Sequence, residues 1–209
     1  MKTFFPTFIF LLAFGLSGCT SLITPTVETE IPKLDGGNYQ IDPAHSRVIF
    51  KVGHIGLSKY VGRFNTFDAR LEFDPEKPEQ TKLEATVDTV SIDVADTDFS
   101  ESLAGSTWLD SEDFPKAYFK SSSIKLKEKN PEGKQTALFC GNLTLISVTK
   151  PLCFDVTFNG GAFNVLSASY TLGFEAHASF NRSDFGMDSY IPAVSDGVEL
   201  EIHAEFIKR

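Results

Sequence analysis

The sequence predicts an all-β domain of about eight antiparallel strands, closed into a barrel or paired as a sandwich, with one short helix. Three observations predict it. The clearest is the alternation near the C-terminus, where Val198, Leu200, Ile202, Ala204 and Phe206 share one face and Glu199, Glu201, His203 and Glu205 the other. Successive side chains of a strand point to opposite faces, so this is a strand with one wet side. The same period recurs at Val48/Phe50/Val52, Ala69/Leu71/Phe73, Leu83/Ala85/Val87/Thr89, Leu143/Leu145, Phe154/Val156/Phe158 and Leu172/Phe174/Ala176/Ala178/Phe180. Turn formers separate these runs: Asp74-Pro75, Asn130-Pro131-Glu132-Gly133, Asn159-Gly160-Gly161 and Ser195-Asp196-Gly197. A one-sided apolar sheet of that size must close on itself or pair with a second sheet.

The helix is expected between Asp96 and Trp108. Asp96, Thr97 and Asp98 are capping candidates, Leu103 supplies an apolar position, and Gly105 keeps the element short. At the other extreme of the chain, Met1-Lys2 and the apolar stretch from Phe4 to Phe14 form a leader too short to span a bilayer comfortably. Leu16-Ser17-Gly18-Cys19 follows and resembles the lipobox of bacterial lipoproteins, which implies lipidation of Cys19. The competing reading is an ordinary secretory leader with an incidental cysteine. The expected organisation is thus a lipoprotein signal peptide at 1–18, a lipidated cysteine and flexible tether at 19–37, and the barrel domain at 38–209. The resemblance to bacterial lipoproteins, in which an Asp after the cysteine goes with inner-membrane retention, implies for Thr20 the periplasmic side of the outer membrane, with the soluble periplasm as the alternative.

Composition narrows the partners. The formal charge is −9 and loses Lys2 with the leader, so there is no long-range attraction for phosphate backbones and nucleic acid is not an expected partner. The chain has 20 Phe against one Trp and two Met. Such rings carry no polar handle; they suit either a solid core or the wall of an apolar space.

Several segments then occur in a telling order. Tyr39-Gln40-Ile41-Asp42-Pro43-Ala44-His45-Ser46 opens the domain, followed by Val52-Gly53-His54-Ile55-Gly56, Val61-Gly62-Arg63-Phe64, Ser91-Ile92-Asp93, Asp113-Phe114-Pro115, Phe119-Lys120-Ser121, and Gly141-Asn142-Leu143-Thr144-Leu145 leading into Val148-Thr149-Lys150-Pro151. Together they resemble the YceI-like family of polyisoprenoid-binding proteins over residues 39–207. The chain departs from the family pattern at Ile146-Ser147, where a His-Gly pair is common. The resemblance implies a lipocalin-like barrel with a long apolar tunnel for an isoprenoid, isoprenoid quinone, fatty amide or other long-chain lipid. It implies no cofactor and no chemistry on the ligand.

Candidate ligand-binding residues follow from parity and position: Phe50, His54, Phe64, Phe67, Trp108, Phe114, Phe119, Phe154, Phe174 and Arg182. Each ring alone could be plain core, and the resemblance turns the set toward a tunnel lining. His54 keeps the inward parity of Phe50 and Val52, so it either meets a lipid head group or structures the Ile55-Gly56 turn. His45 has opposite parity and is expected to bond backbone near Asp42 and Ser46. His177 and His203 fall on wet faces, and no metal-ligand spacing is evident. Arg182 either holds an anionic head at the mouth or pairs with Asp184 in a turn.

Cys140 and Cys153 share the outer face of one hairpin, but a tip at Val148–Pro151 would put them out of register, leaving a disulfide open. No nucleophile or phosphate-loop signature appears, so a binding protein is expected rather than an enzyme. A filled barrel in a structural envelope protein is the alternative. Exposed barrel faces also permit a homodimer.

Overall fold

The fold was established from a computed structural model, which describes residues 25–165 and 167–209. The signal peptide and Cys19 lie outside the described residues. The strands are β1 (Gly37–Ile41), β2 (Arg47–His54), β3 (Ser58–Phe64), β4 (Phe67–Phe73), β5 (Lys82–Asp88), β6 (Ile92–Asp93), β7 (Lys116–Leu126), β8 (Thr136–Leu145), β9 (Val148–Asn164), β10 (Ser169–Asn181) and β11 (Val194–Lys208), with one α-helix, α1 (Thr97–Ala104), between β6 and β7.

These eleven segments make eight staves. The ring runs β1-β4-β5-β7-β8-β9-β10-β11 and closes where β11 pairs with β1. β2 continues β1 along the same edge of β11, and β3 and β6 continue β4 and β5 in the same way. Every pairing is antiparallel between neighbours in the chain, apart from the closing pair, so the fold is an up-and-down barrel whose first three staves are each broken once. Closure removes the free edges that an eight-stave sheet would otherwise expose.

Two of the anticipated turns are bends inside strands instead. Gly160 and Gly161 lie within β9, opposite a register shift between Gly173 and Phe174 of β10. Ser195-Asp196-Gly197 lies within β11, at a register shift against β2. Turn residues also serve bulges, which bend a strand as a barrel wall requires. The β8–β9 hairpin turns at Ile146-Ser147, both at positive φ, rather than at Val148–Pro151. That two-residue tip brings Cys140 directly opposite Cys153, and the two are joined in a disulfide.

The ends of the barrel differ. Loops 55–57, 94–115, 146–147 and 182–193 gather at one end, the mouth. Loops 74–81 and 127–135, residues 165, 167 and 168, residues 28–36 and the C-terminal residues 208–209 gather at the other. The tether is ordered for much of its length at this second end. Glu28 exchanges backbone hydrogen bonds with Gly161, a short 3-10 turn runs Ile31–Lys33, and Leu34 is buried in a cluster with Tyr39, Leu71, Phe158, Leu172 and Phe206. Tyr39 Oη donates to the Asp35 carbonyl, and its burial raises the phenol pKa above the ordinary value. Gly161 is required there: a Cβ would lie within 3 Å of Tyr170, Leu34 and Leu172. From about residue 28 onward the segment before β1 packs on this end of the barrel, because Leu34 has a core to enter.

Candidate ligand cavity

The mouth is built by α1 and by the loop between β10 and β11. Asp96 caps α1, its carboxylate accepting from Phe99 N at 2.9 Å, and Gly105 follows as the C-cap, as the sequence indicates. The helix sends Phe99 and Leu103 inward, and the chain after it delivers Trp108 and Leu109 to the same space. The opposing loop is held by Arg182, which is 2% exposed. Its guanidinium donates to the carbonyls of Met187, Ser189, Val194 and Ser195 at 2.5–3.0 Å. It also lies 5.2 Å from the centre of the Trp108 ring, and Tyr190 stacks on that ring at 5.7 Å.

Below these groups the barrel encloses a cavity of about 530 Å³. An eight-stave barrel is wide enough either to be filled by side chains or to keep room for one ligand; here room remains. The wall is overwhelmingly apolar. It includes Phe50, Phe64, Phe67, Phe119, Phe154, Phe174, Phe180 and Phe206, with Ala69, Ala85 and Ala176 between them. Small residues create the space, and rings pack edge to face around it, as in Phe119 with Phe154 and Phe174 with Phe206. Gly62 matters for the same reason, since a Cβ there would collide with the Phe50 ring.

Nine of the ten candidate residues line this cavity: Phe50, His54, Phe64, Phe67, Trp108, Phe119, Phe154, Phe174 and Arg182. Phe114 does not. It is half-buried in the turn before β7, where its backbone bonds Asp110 and Thr89, so its position in a motif reflects loop structure. Arg182 fits neither sequence reading, because it binds the carbonyls of Met187 and Ser189 in its loop and of Val194 and Ser195 at the start of β11, and among the described residues it forms no ion pair with Asp184. Burial lowers its pKa, opposed by Asp196 and Asp188 nearby. His54 lines the mouth with its ring edge-on to Tyr60, and among the described residues its ring makes no hydrogen bond; the Ile55-Gly56 turn is held by backbone instead.

His45 bonds the Asp42 carboxylate at 2.7 Å rather than backbone. That contact raises the His45 pKa and lowers that of Asp42. With Glu205 these two form a triad whose ligand atoms lie within 4.8 Å of one another, an ion-pair cluster on the outer surface away from the cavity. His177 and His203 sit on the wet face beside Glu175 and Glu201. Phe73 and Phe158, whose parity is also inward, serve the closed end.

The sequence reading missed Tyr60, Met187 and Tyr190 in the lining. Tyr60 was detectable from its shared parity with Gly62 and Phe64. Tyr190 was not, because its loop has no period to read. Around the opening, Ile55, Leu57, Tyr190 and Ile191 are left exposed, Leu57 by 83%.

The YceI-like domain family matches residues 39–206. The chain belongs to the YceI-like family. A relative in Pseudomonas fluorescens, called a UPF0312 protein, is 37% identical over 173 residues, covering 82% of this chain and 87% of its own. Another UPF0312 protein, from Shewanella oneidensis, is 34% identical over 178 residues, 84% and 90% of the two chains. Among solved structures, Burkholderia cenocepacia BcnA superposes with a TM-score of 0.69 at 26% identity, covering 79% of this chain and 98% of BcnA. A polyisoprenoid-binding domain of Saccharophagus degradans implicated in plant cell wall breakdown has a TM-score of 0.61 at 11% identity, over 82% and 98% of the chains. At that identity it attests the shared YceI-like barrel alone.

Proposed function

We propose that the protein is a binding protein, not an enzyme, which takes up one long apolar chain in its barrel and sequesters or carries it in the bacterial envelope. The observation that carries this reading is the cavity of about 530 Å³ with an almost wholly apolar wall. Its volume falls within the roughly 300–1,000 Å³ of small-molecule sites. Burial supplies about 0.8 kcal/mol per methylene, so ten enclosed carbons contribute roughly 8 kcal/mol before the cost of ordering the chain. Affinity then comes from length, and the wall needs few polar groups. The polyisoprenoid-binding neighbour of the same fold supports an isoprenoid as the ligand; a quinone or a fatty amide fits the same wall.

Lipidation at Cys19 and residence on the periplasmic side of the outer membrane belong to the same proposal. The Cys140–Cys153 disulfide supports export, because such bonds persist in oxidising compartments.

The test is organic extraction and mass spectrometry of the exported protein carrying Cys19→Ser, purified without detergent. A stoichiometric long-chain lipid is expected. A folded, empty protein that also fails to take up added prenols or quinones overturns the reading in favour of a filled, structural barrel.

A further inference from the structure

The cavity's polar end has a composition of its own. Among the described residues Arg182 is the sole lysine or arginine lining it, and four of its five N–H groups are committed to the carbonyls of Met187, Ser189, Val194 and Ser195. Bidentate recognition of a phosphate or carboxylate by arginine uses two parallel N–H donors from one fork, and no such pair is left. The other polar groups at the opening, His54, Tyr60, Ser102 and Tyr190, make no side-chain hydrogen bond among the described residues. They can donate to and accept from a neutral group.

Outside this ring, the loops that frame the mouth carry exposed Asp98, Glu101, Glu112, Asp113, Asp184 and Asp188. Loops 94–115 and 182–193 contain no lysine and no arginine except the buried Arg182. Among the described residues none of those six carboxylates is in an ion pair, in contrast to the acids of the closed end, where Lys33, Lys129, Lys134 and Lys208 face Glu28, Glu30, Glu132 and Asp35. The one buried Arg182 beside Asp188 offsets only part of this charge, so the opening keeps an excess of negative charge and an approaching anion is repelled before it reaches the wall.

We infer that the mouth selects ligands by head-group charge: the barrel takes a lipid whose polar end is an uncharged hydroxyl, carbonyl or amide and rejects the phosphate of the same chain. This rests on the proposed lipid binding and specifies its ligand class.

Trp108, the single tryptophan, sits at the opening and reports entry. The experiment titrates the full exported chain with geranylgeraniol and with geranylgeranyl phosphate, each below its micelle-forming concentration, following Trp108 emission at low and at physiological salt. The alcohol is expected to bind at least about tenfold more tightly, with the gap narrowing as salt screens the collar. The combined variant Asp98→Asn, Glu101→Gln, Asp184→Asn, Asp188→Asn is expected to narrow the gap at low salt by strengthening phosphate binding, with the alcohol unchanged. Phosphate binding as tight as alcohol binding in the unmodified protein overturns the inference while leaving lipid binding intact. A gap that persists unchanged in the variant overturns the assignment to the acidic collar. Failure of both lipids, and of longer prenols and quinones, overturns the lipid-binding reading itself.

Discussion

The two ends of the barrel are made from the same staves but solve opposite problems. At the closed end Leu34, Leu71, Phe158, Leu172 and Phe206 interlock into a solid cluster, the incoming chain is stitched to β9 at Glu28, and surface acids meet lysines. At the mouth, rings line open space, one arginine holds a loop against the start of β11 through backbone carbonyls, and among the described residues six loop acids make no ion pair. A barrel that keeps a cavity forfeits the dispersion contacts its wall would otherwise make, so the end that does pack must supply much of the stability. Burial and opening are thereby divided along the barrel axis.

The largest effect expected from this division is at the closed end. Leu172 is fully buried, and Leu172→Ala should destabilise the protein by about 3–5 kcal/mol through lost transfer energy and a new void, read as a lowered urea midpoint. A cost below about 1 kcal/mol would mean that this end is as loosely packed as the mouth. Arg182→Met comes next. Four carbonyls would lose their donor, and the expected cost of about 2–4 kcal/mol should appear with faster proteolysis within 182–193. If that loop stays protected, backbone geometry holds it rather than the guanidinium.

The disulfide lies on the outer face of β8 and β9, away from both ends. Cys140→Ser with Cys153→Ser, a crosslink closing a separation of 13 residues, should cost about 2–3 kcal/mol and leave lipid uptake unchanged. The smallest effect is electrostatic. Lys51 and His203 bond the Glu201 carboxylate and hold its pKa near 2, below the ordinary 4.5. A depressed carboxylate contributes stability that is present above pH 4.5 and lost as pH falls toward 2. Glu201→Gln should therefore flatten the decline of stability across that window while leaving its shape above pH 5 unaltered.

Much of this was legible in the chain. Alternation placed β2, β4, β9, β10 and β11 with the correct face inward, since a half-wet strand imposes a period of two, and Asp96 and Gly105 bounded α1 because capping is local chemistry. Nine of ten candidate residues reached the cavity wall on parity and order. The misreadings share a cause. Gly160-Gly161 and Ser195-Asp196-Gly197 look like turns because the same residues make turns and bulges, and only the neighbouring strand tells which. The hairpin tip went astray because Ile146-Ser147 carries no turn signal, and with it went the register of the two cysteines.

The sequence by itself determined the strands, their wet and dry faces, the short helix, the acidic charge and the family, because each rests on local periodicity, composition or ordered motifs. Tertiary structure alone decided that the barrel keeps a cavity instead of a filled core, that residues 28–36 pack on one end, and that Arg182 is spent on backbone carbonyls of its own loop and of β11. Each of these depends on which atoms distant in the chain come within a few ångströms, and contact at that range is a property of the closed barrel, not of any stave.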